Sequence, residues 1–208
     1  MSSRERMTKV LGFLVLSVTA GAIILRFLQP APLVNVTAFS LAAAVNPIGQ
    51  VFETRVPVDG SRWQYIEIRQ SGRDRGNAQI LAESCRQKAL GELPYHFVIT
   101  NGRGGADGRI QVSQQWTQQK RAHRAAVSPS AAAGGSTIRI CLIGDFRQGP
   151  PAPAQLSQLV ALLRSLQQRC QVPARDICLE GSASGPADQW RFFPLDKLRR
   201  ALLSNSTD

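Results

Sequence analysis

Tyr95-His96-Phe97-Val98-Ile99, followed by the glycine-rich run Asn101–Gly108 and then Arg109-Ile110, decides the fold of this 208-residue chain. An aromatic-ended apolar strand, a glycine turn and a second apolar strand read as a β-hairpin with a long loop. Outward from it, Trp63–Ile68 and Ile138–Ile143 are further apolar strands, and Asn77–Lys88 sets Ile80, Leu81 and Ala89 at helical spacing. Pro150–Pro153 leads into a helix over Gln155–Arg169. The predicted order is strand 64–69, helix 77–89, strand 95–99, strand 109–112, strand 138–143, helix 153–169, short strand 176–179 and helix 194–203. Strands separated by helices imply an α/β fold with a central mixed β-sheet flanked by helices. In the last helix, Asp196 comes early and Lys197, Arg199 and Arg200 follow, which suits the helix dipole.

A transmembrane helix is expected to precede this domain. Residues 1–9 form a basic N-terminus with Arg4, Arg6 and Lys9, and Val10–Leu28 is an apolar run broken only by Arg26. Its nineteen residues suit a spanning helix, and the leading cations put the N-terminus in the cytoplasm. Val18-Thr19-Ala20 fits a signal peptidase site, so a cleaved signal peptide competes with the anchor. The run continues through Gly21–Leu25 past that site, which favours the anchor. Either way the domain is delivered to the extracytoplasmic, periplasmic side of the cell membrane. Residues 29–60 read as a tether with scattered prolines, whose apolar pieces suggest that it packs partly onto the domain at 61–208.

Formal charge is +11, and +8 remains once residues 1–28 are set aside. That balance favours anionic partners in general, and no RNA- or DNA-binding signature accompanies it, so nucleic acid is not expected. The four cysteines, Cys85, Cys141, Cys170 and Cys178, match neither a redox pair nor a zinc finger. Cys141 sits inside an apolar strand as a small core residue. Cys170 and Cys178 are placed either to bridge a helix end to the next strand or to stay as free thiols. Ser128–Gly135 is low in complexity and reads as a surface loop.

The strings Tyr95-His96-Phe97, Asp107-Gly108-Arg109-Ile110 and Ser136–Phe146, in this order and spacing, resemble the type 2 N-acetylmuramoyl-L-alanine amidase and peptidoglycan recognition protein family. The resemblance runs along most of residues 62–203. That family holds zinc with two histidines and a cysteine or aspartate, leaving water in the fourth position. Carried over by spacing, the ligand positions become Arg69, Glu180 and Asp188, and these are degenerate. Arginine offers no lone pair to a metal. Two carboxylates without imidazole make a poor catalytic zinc site. The family's catalytic tyrosine is matched by Tyr95, while its carbonyl-polarising Lys or Thr falls near Pro186. The resemblance also places Ser71, Tyr95, Trp116 and His123 along a ligand groove.

These residues lead to the expectation of a membrane-anchored, zinc-free pseudoenzyme that binds peptidoglycan or muropeptides, with no cofactor. An active amidase is the first alternative. It would cleave the bond between N-acetylmuramic acid and L-alanine, with metal on Glu180 and Asp188 and Tyr95 steadying the oxyanion. A structural or assembly protein of the cell envelope is the second.

Overall fold

Every side chain of Thr137–Leu142 is buried, and the strand that these residues form lies at the centre of a five-stranded sheet. A computed structural model of the chain describes residues 48–89, 91–121, 136–181 and 187–203. In chain order the elements are α1 (Ile48–Val51), β1 (Tyr65–Gln70), α2 (Ala78–Gln87), β2 (Phe97–Ile99), β3 (Ile110–Val112), α3 (Gln114–Thr117), β4 (Thr137–Leu142), α4 (Pro153–Cys170), β5 (Ile177–Leu179) and α5 (Leu195–Leu203). Short 3₁₀ turns occupy Gly60–Arg62, Ala174–Asp176 and Ala187–Trp190.

The strand order is β3-β2-β4-β1-β5. Only the β2–β3 hairpin is antiparallel, and β4 and β5 flank β1 in parallel. The sheet is therefore mixed, with helices on both faces. Parallel strands buried on both faces need apolar runs, which β2 and β4 supply. Alternation sends Ile66, Ile68, Ile138, Ile140 and Leu142 into one core with Leu159, Leu162, Leu163 and Leu166 of α4. Leu198 and Leu202 of α5 close the same layer. On the opposite face Leu81 of α2 and Leu93 pack on Val98, Cys141 and Ile143.

The hairpin turn needs its last glycine. Gly108 has φ +70°, and a Cβ there would stand 2.9 Å from the backbone of Ala154 at the start of α4. Its N–H donates to the Thr100 carbonyl at 2.9 Å, which closes the loop.

Residues 48–63, read partly as tether, pack on the domain: Val51 is 1% exposed and Trp63 2%. The Trp116 indole donates to the Val51 carbonyl at 2.9 Å and fixes the segment. The apolar run 10–28 and the loop 128–135 lie outside the described residues, among which no helix is long and apolar enough to cross a membrane. All four cysteines are free, so Cys170 and Cys178 form no bridge. The reason is local, because the Cys178 thiol turns to the Ile66 carbonyl, 3.7 Å away, while Cys170 is buried at the end of α4.

Candidate functional site

The alternation that buries the isoleucines of β1 puts Glu67 and Arg69 on the other face of the sheet. In register, Glu67 stands beside Arg139 and Arg69 beside Cys141. Arg139 Nε meets Glu67 Oε2 at 3.0 Å, with the two side chains 7% and 1% exposed. Neither charge could be buried so deeply without the other. One step further along β1, Arg69 forms an ion pair with Glu180, the first residue after β5. The Glu180 N–H donates to the Ile68 carbonyl at 2.8 Å, so the parallel ladder itself brings the carboxylate to the guanidinium. Arg69 is buried, and its Nε–H has no hydrogen-bond partner among the described residues.

Tyr95 lies half-buried on the same face and packs with Cys141. Burial raises the Tyr95 pKa well above the usual phenol range, and the neighbouring Cys141 adds to this, so the hydroxyl stays protonated. Burial likewise pushes the Cys141 thiol up to about 12, against the opposing pull of Arg69. Cys141 is therefore an inert thiol, and Tyr95 is a neutral donor.

Asp188 does not join this pair. It is exposed in the turn Ala187–Trp190 and makes no ion pair with Arg69 among the described residues. The turn itself is nevertheless held at the site. Gln70 Nε2 donates to the Gln189 carbonyl at 2.7 Å, and the Trp190 indole donates to the Glu180 carbonyl at 2.8 Å.

Ser71 and Trp116 have other work than lining a groove. The Ser71 hydroxyl accepts from Gly144 N at 3.0 Å and from Arg73 N at 3.2 Å, tying the end of β1 to the loop after β4. Trp116, expected in the groove, is 0% exposed in the core, 4.7 Å from the Phe97 ring. Its place there follows from α3, a single turn after edge strand β3 that folds the indole inward. His123 and Pro186 lie outside the described residues.

His96 was not singled out in the sequence, where it sits between Tyr95 and Phe97 as one polar residue in an apolar string. It is wholly buried, and burial pulls its pKa down to about 4. It immediately precedes β2, and its ring lies 5.0 Å from that of Trp63 and 6.1 Å from that of Trp116.

The donors assembled here do not fit zinc. A guanidinium occupies the first ligand position that the resemblance implies, and it already holds the carboxylate of the second. No group of three His, Cys, Asp or Glu side chains is placed to hold a metal among the described residues. What the site can do is donate hydrogen bonds, from a guanidinium and a neutral phenol, to carbonyl or anionic groups.

A family model described as N-acetylmuramoyl-L-alanine amidase matches residues 59–189. The fold is similar to that of the N-acetylmuramoyl-L-alanine amidase LysC from Clostridium intestinale, with TM-score 0.52 and 17% identity over 71% of this chain and 91% of that one. PGRP-Hd from Alvinella pompejana is similar with TM-score 0.45 and 18% identity, over 79% of this chain and 96% of that one. A mutant of Drosophila PGRP-LB in complex with tracheal cytotoxin has TM-score 0.43 and 17% identity, over 56% of this chain and 69% of that one. No curated protein matches the chain significantly.

Proposed function

The chain belongs to the N-acetylmuramoyl-L-alanine amidase family, and from that premise we propose that it binds peptidoglycan or muropeptides without cutting them, as a zinc-free member anchored in the cell membrane. The ion pair between Arg69 and Glu180 carries the reading. A fixed cation at a metal-ligand position opposes entry of a dication and leaves no lone pair to receive it. A lone carboxylate at the partly buried Glu180 position would tend to protonate. The guanidinium keeps it charged and serves as the site's permanent positive charge.

Binding then rests on donors that the chain keeps. The Tyr95 hydroxyl stays protonated and can donate to a carbonyl of the wall peptide. Ser71 holds the end of β1 to the loop after β4, and His123 is the groove residue expected from the adjoining loop. Anchoring is read from Val10–Leu28 with its preceding cations, which sets the domain on the extracytoplasmic side. One observation favours the alternative of an active enzyme: the turn carrying Asp188 is held beside Glu180 by Gln70 and Trp190.

The test incubates the full chain in detergent with purified sacculi, with and without added zinc. The expected result is co-sedimentation with the sacculi and no release of stem peptides. Zinc-dependent release of peptides beginning with L-alanine would establish the enzyme instead. Absence of co-sedimentation would remove the binding function.

A further inference from the structure

The end of the domain away from the Arg69–Glu180 pair gathers five cations: Arg55, Arg62, Lys120, Arg121 and Arg169. Short contacts link them. Arg55 N–H donates to the Thr117 carbonyl at 2.9 Å, and the Lys120 carbonyl stands 3.0 Å from His96 Nε2. The His96 ring lies 5.0 Å from Trp63, and the Arg62 guanidinium covers the Trp63 ring at 5.3 Å. Arg169 lies over Phe52 at 4.2 Å, and Gly60 packs directly against its carbonyl.

None of the five forms an ion pair among the described residues, whereas Arg103 and Arg147 at the other end are paired with Asp74 and Asp145. Of the nearby acids, Asp59 is exposed, accepts from the N–H and hydroxyl of Ser61, and lies near enough to Arg62 to be stabilised by it. Two of the guanidiniums lie over aromatic rings, which favours one placement of each charge. Val56 is 45% exposed on the same face, beside exposed Pro57. The segment from α1 runs along this end, with Val51 tied to Trp116.

We propose that this face lies against a bilayer rich in anionic lipid headgroups, with Val56 and Pro57 at the boundary of the hydrocarbon. The proposal rests on the anchored reading, in which nineteen residues link Leu28 to Ile48. Unpaired cations within a Debye length of such a surface are attracted to it, and an exposed apolar side chain gains by entering it. The Arg69 site at the opposite end of β1 is then turned toward the wall.

The test reconstitutes the full chain in phosphatidylcholine bilayers, with and without phosphatidylglycerol, and follows amide hydrogen exchange. Residues 53–62 and 118–121 should exchange roughly fivefold more slowly on the anionic bilayer at low salt and recover at high salt. Arg55→Glu with Arg121→Glu should abolish that protection while the chain stays in the membrane pellet. Equal exchange on both bilayers, or protection that survives the charge reversal, overturns the proposal. Protection by added heparin but not by lipid overturns it in favour of an anionic polymer. A chain extracted by carbonate defeats the anchor reading alone. Exchange of that soluble chain mixed with the same vesicles then decides whether the face binds lipid.

Discussion

The backbone N–H of Arg139 donates to Nδ1 of His96 at 2.9 Å, which leaves Nε2 to donate to the Lys120 carbonyl at 3.0 Å. Both nitrogens of the neutral ring are thus used, and the ring is packed edge-on against Trp63. A proton added to Nδ1 would have to expel the Arg139 amide, in a place without water to receive either group.

Stability should therefore depend on pH through His96. Its folded pKa, about 4, lies below the 6.5 of a free histidine, so the unfolded chain binds more protons between these limits. The contribution of the neutral ring is complete above the upper value, shrinks as pH falls toward the lower one, and then levels off. The loss amounts to about 3 kcal/mol. Urea unfolding at several pH values in this window would measure it, and His96→Gln should flatten the slope. An unchanged slope in the variant would refute the assignment.

The two ion pairs on this face should differ in strength. The Glu67–Arg139 side chains are 1% and 7% exposed, whereas Glu180 is 23% exposed. Glu67→Ala leaves a guanidinium buried without its carboxylate and should cost about 3–5 kcal/mol. Water can reach the Glu180 position, so Glu180→Ala should cost only about 1–2 kcal/mol. Chemical denaturation of the two variants gives the ranking, and the opposite order would contradict the burial argument.

Zinc should not be part of the folded protein. Metal analysis is expected to find well under one equivalent, and chelator should leave Tm unchanged, because no binding energy is coupled to folding. Arg69→His removes the fixed cation and restores an imidazole beside Glu180. Zinc should then raise Tm of the variant while leaving the wild type unmoved. Stoichiometric zinc in the wild type, lost together with stability on chelation, would reverse the reading of the site.

Trp116 should control the order of the segment before β1. Trp116→Phe retains most of the packing on Phe97 and Phe52 but removes the donor to Val51. A cost of about 1–2 kcal/mol is expected. Limited proteolysis should cut the variant faster within residues 48–58 than elsewhere in the domain, and uniform cleavage would argue against this role.

Much of the fold was legible because the strands carry their own period. In β1 and β4 the isoleucines alternate with Glu67, Arg69 and Arg139, and the hairpin announces itself through glycines that the turn requires. The meeting of Arg69 with Glu180 also has a basis in sequence, since both end parallel strands that pair in register. Trp116 was placed along the groove by the resemblance alone. Only the tertiary structure shows that its single helical turn faces the core. His96 was overlooked because its two hydrogen-bond partners, Arg139 N and Lys120 O, are distant in sequence. Asp188 was aligned by counting residues across a segment of 182–186 that the described structure does not include.

The strand order also constrains how the chain can acquire its structure. Ile66 pairs with Ile138 on one side and with Ile177 on the other. β1 therefore cannot be flanked on both sides in any N-terminal fragment that stops before Ile177, because it waits for β4 and then for β5. Such distant pairings make folding slow, since loop closure must be paid before the contacts form. On the extracytoplasmic side that is proposed for it, the domain would cross the membrane as an unfolded thread and begin to assemble only when nearly all of it had emerged. A truncation just before Ile177 should therefore yield a protease-sensitive chain, with β1 left as an open edge on the side that β5 covers.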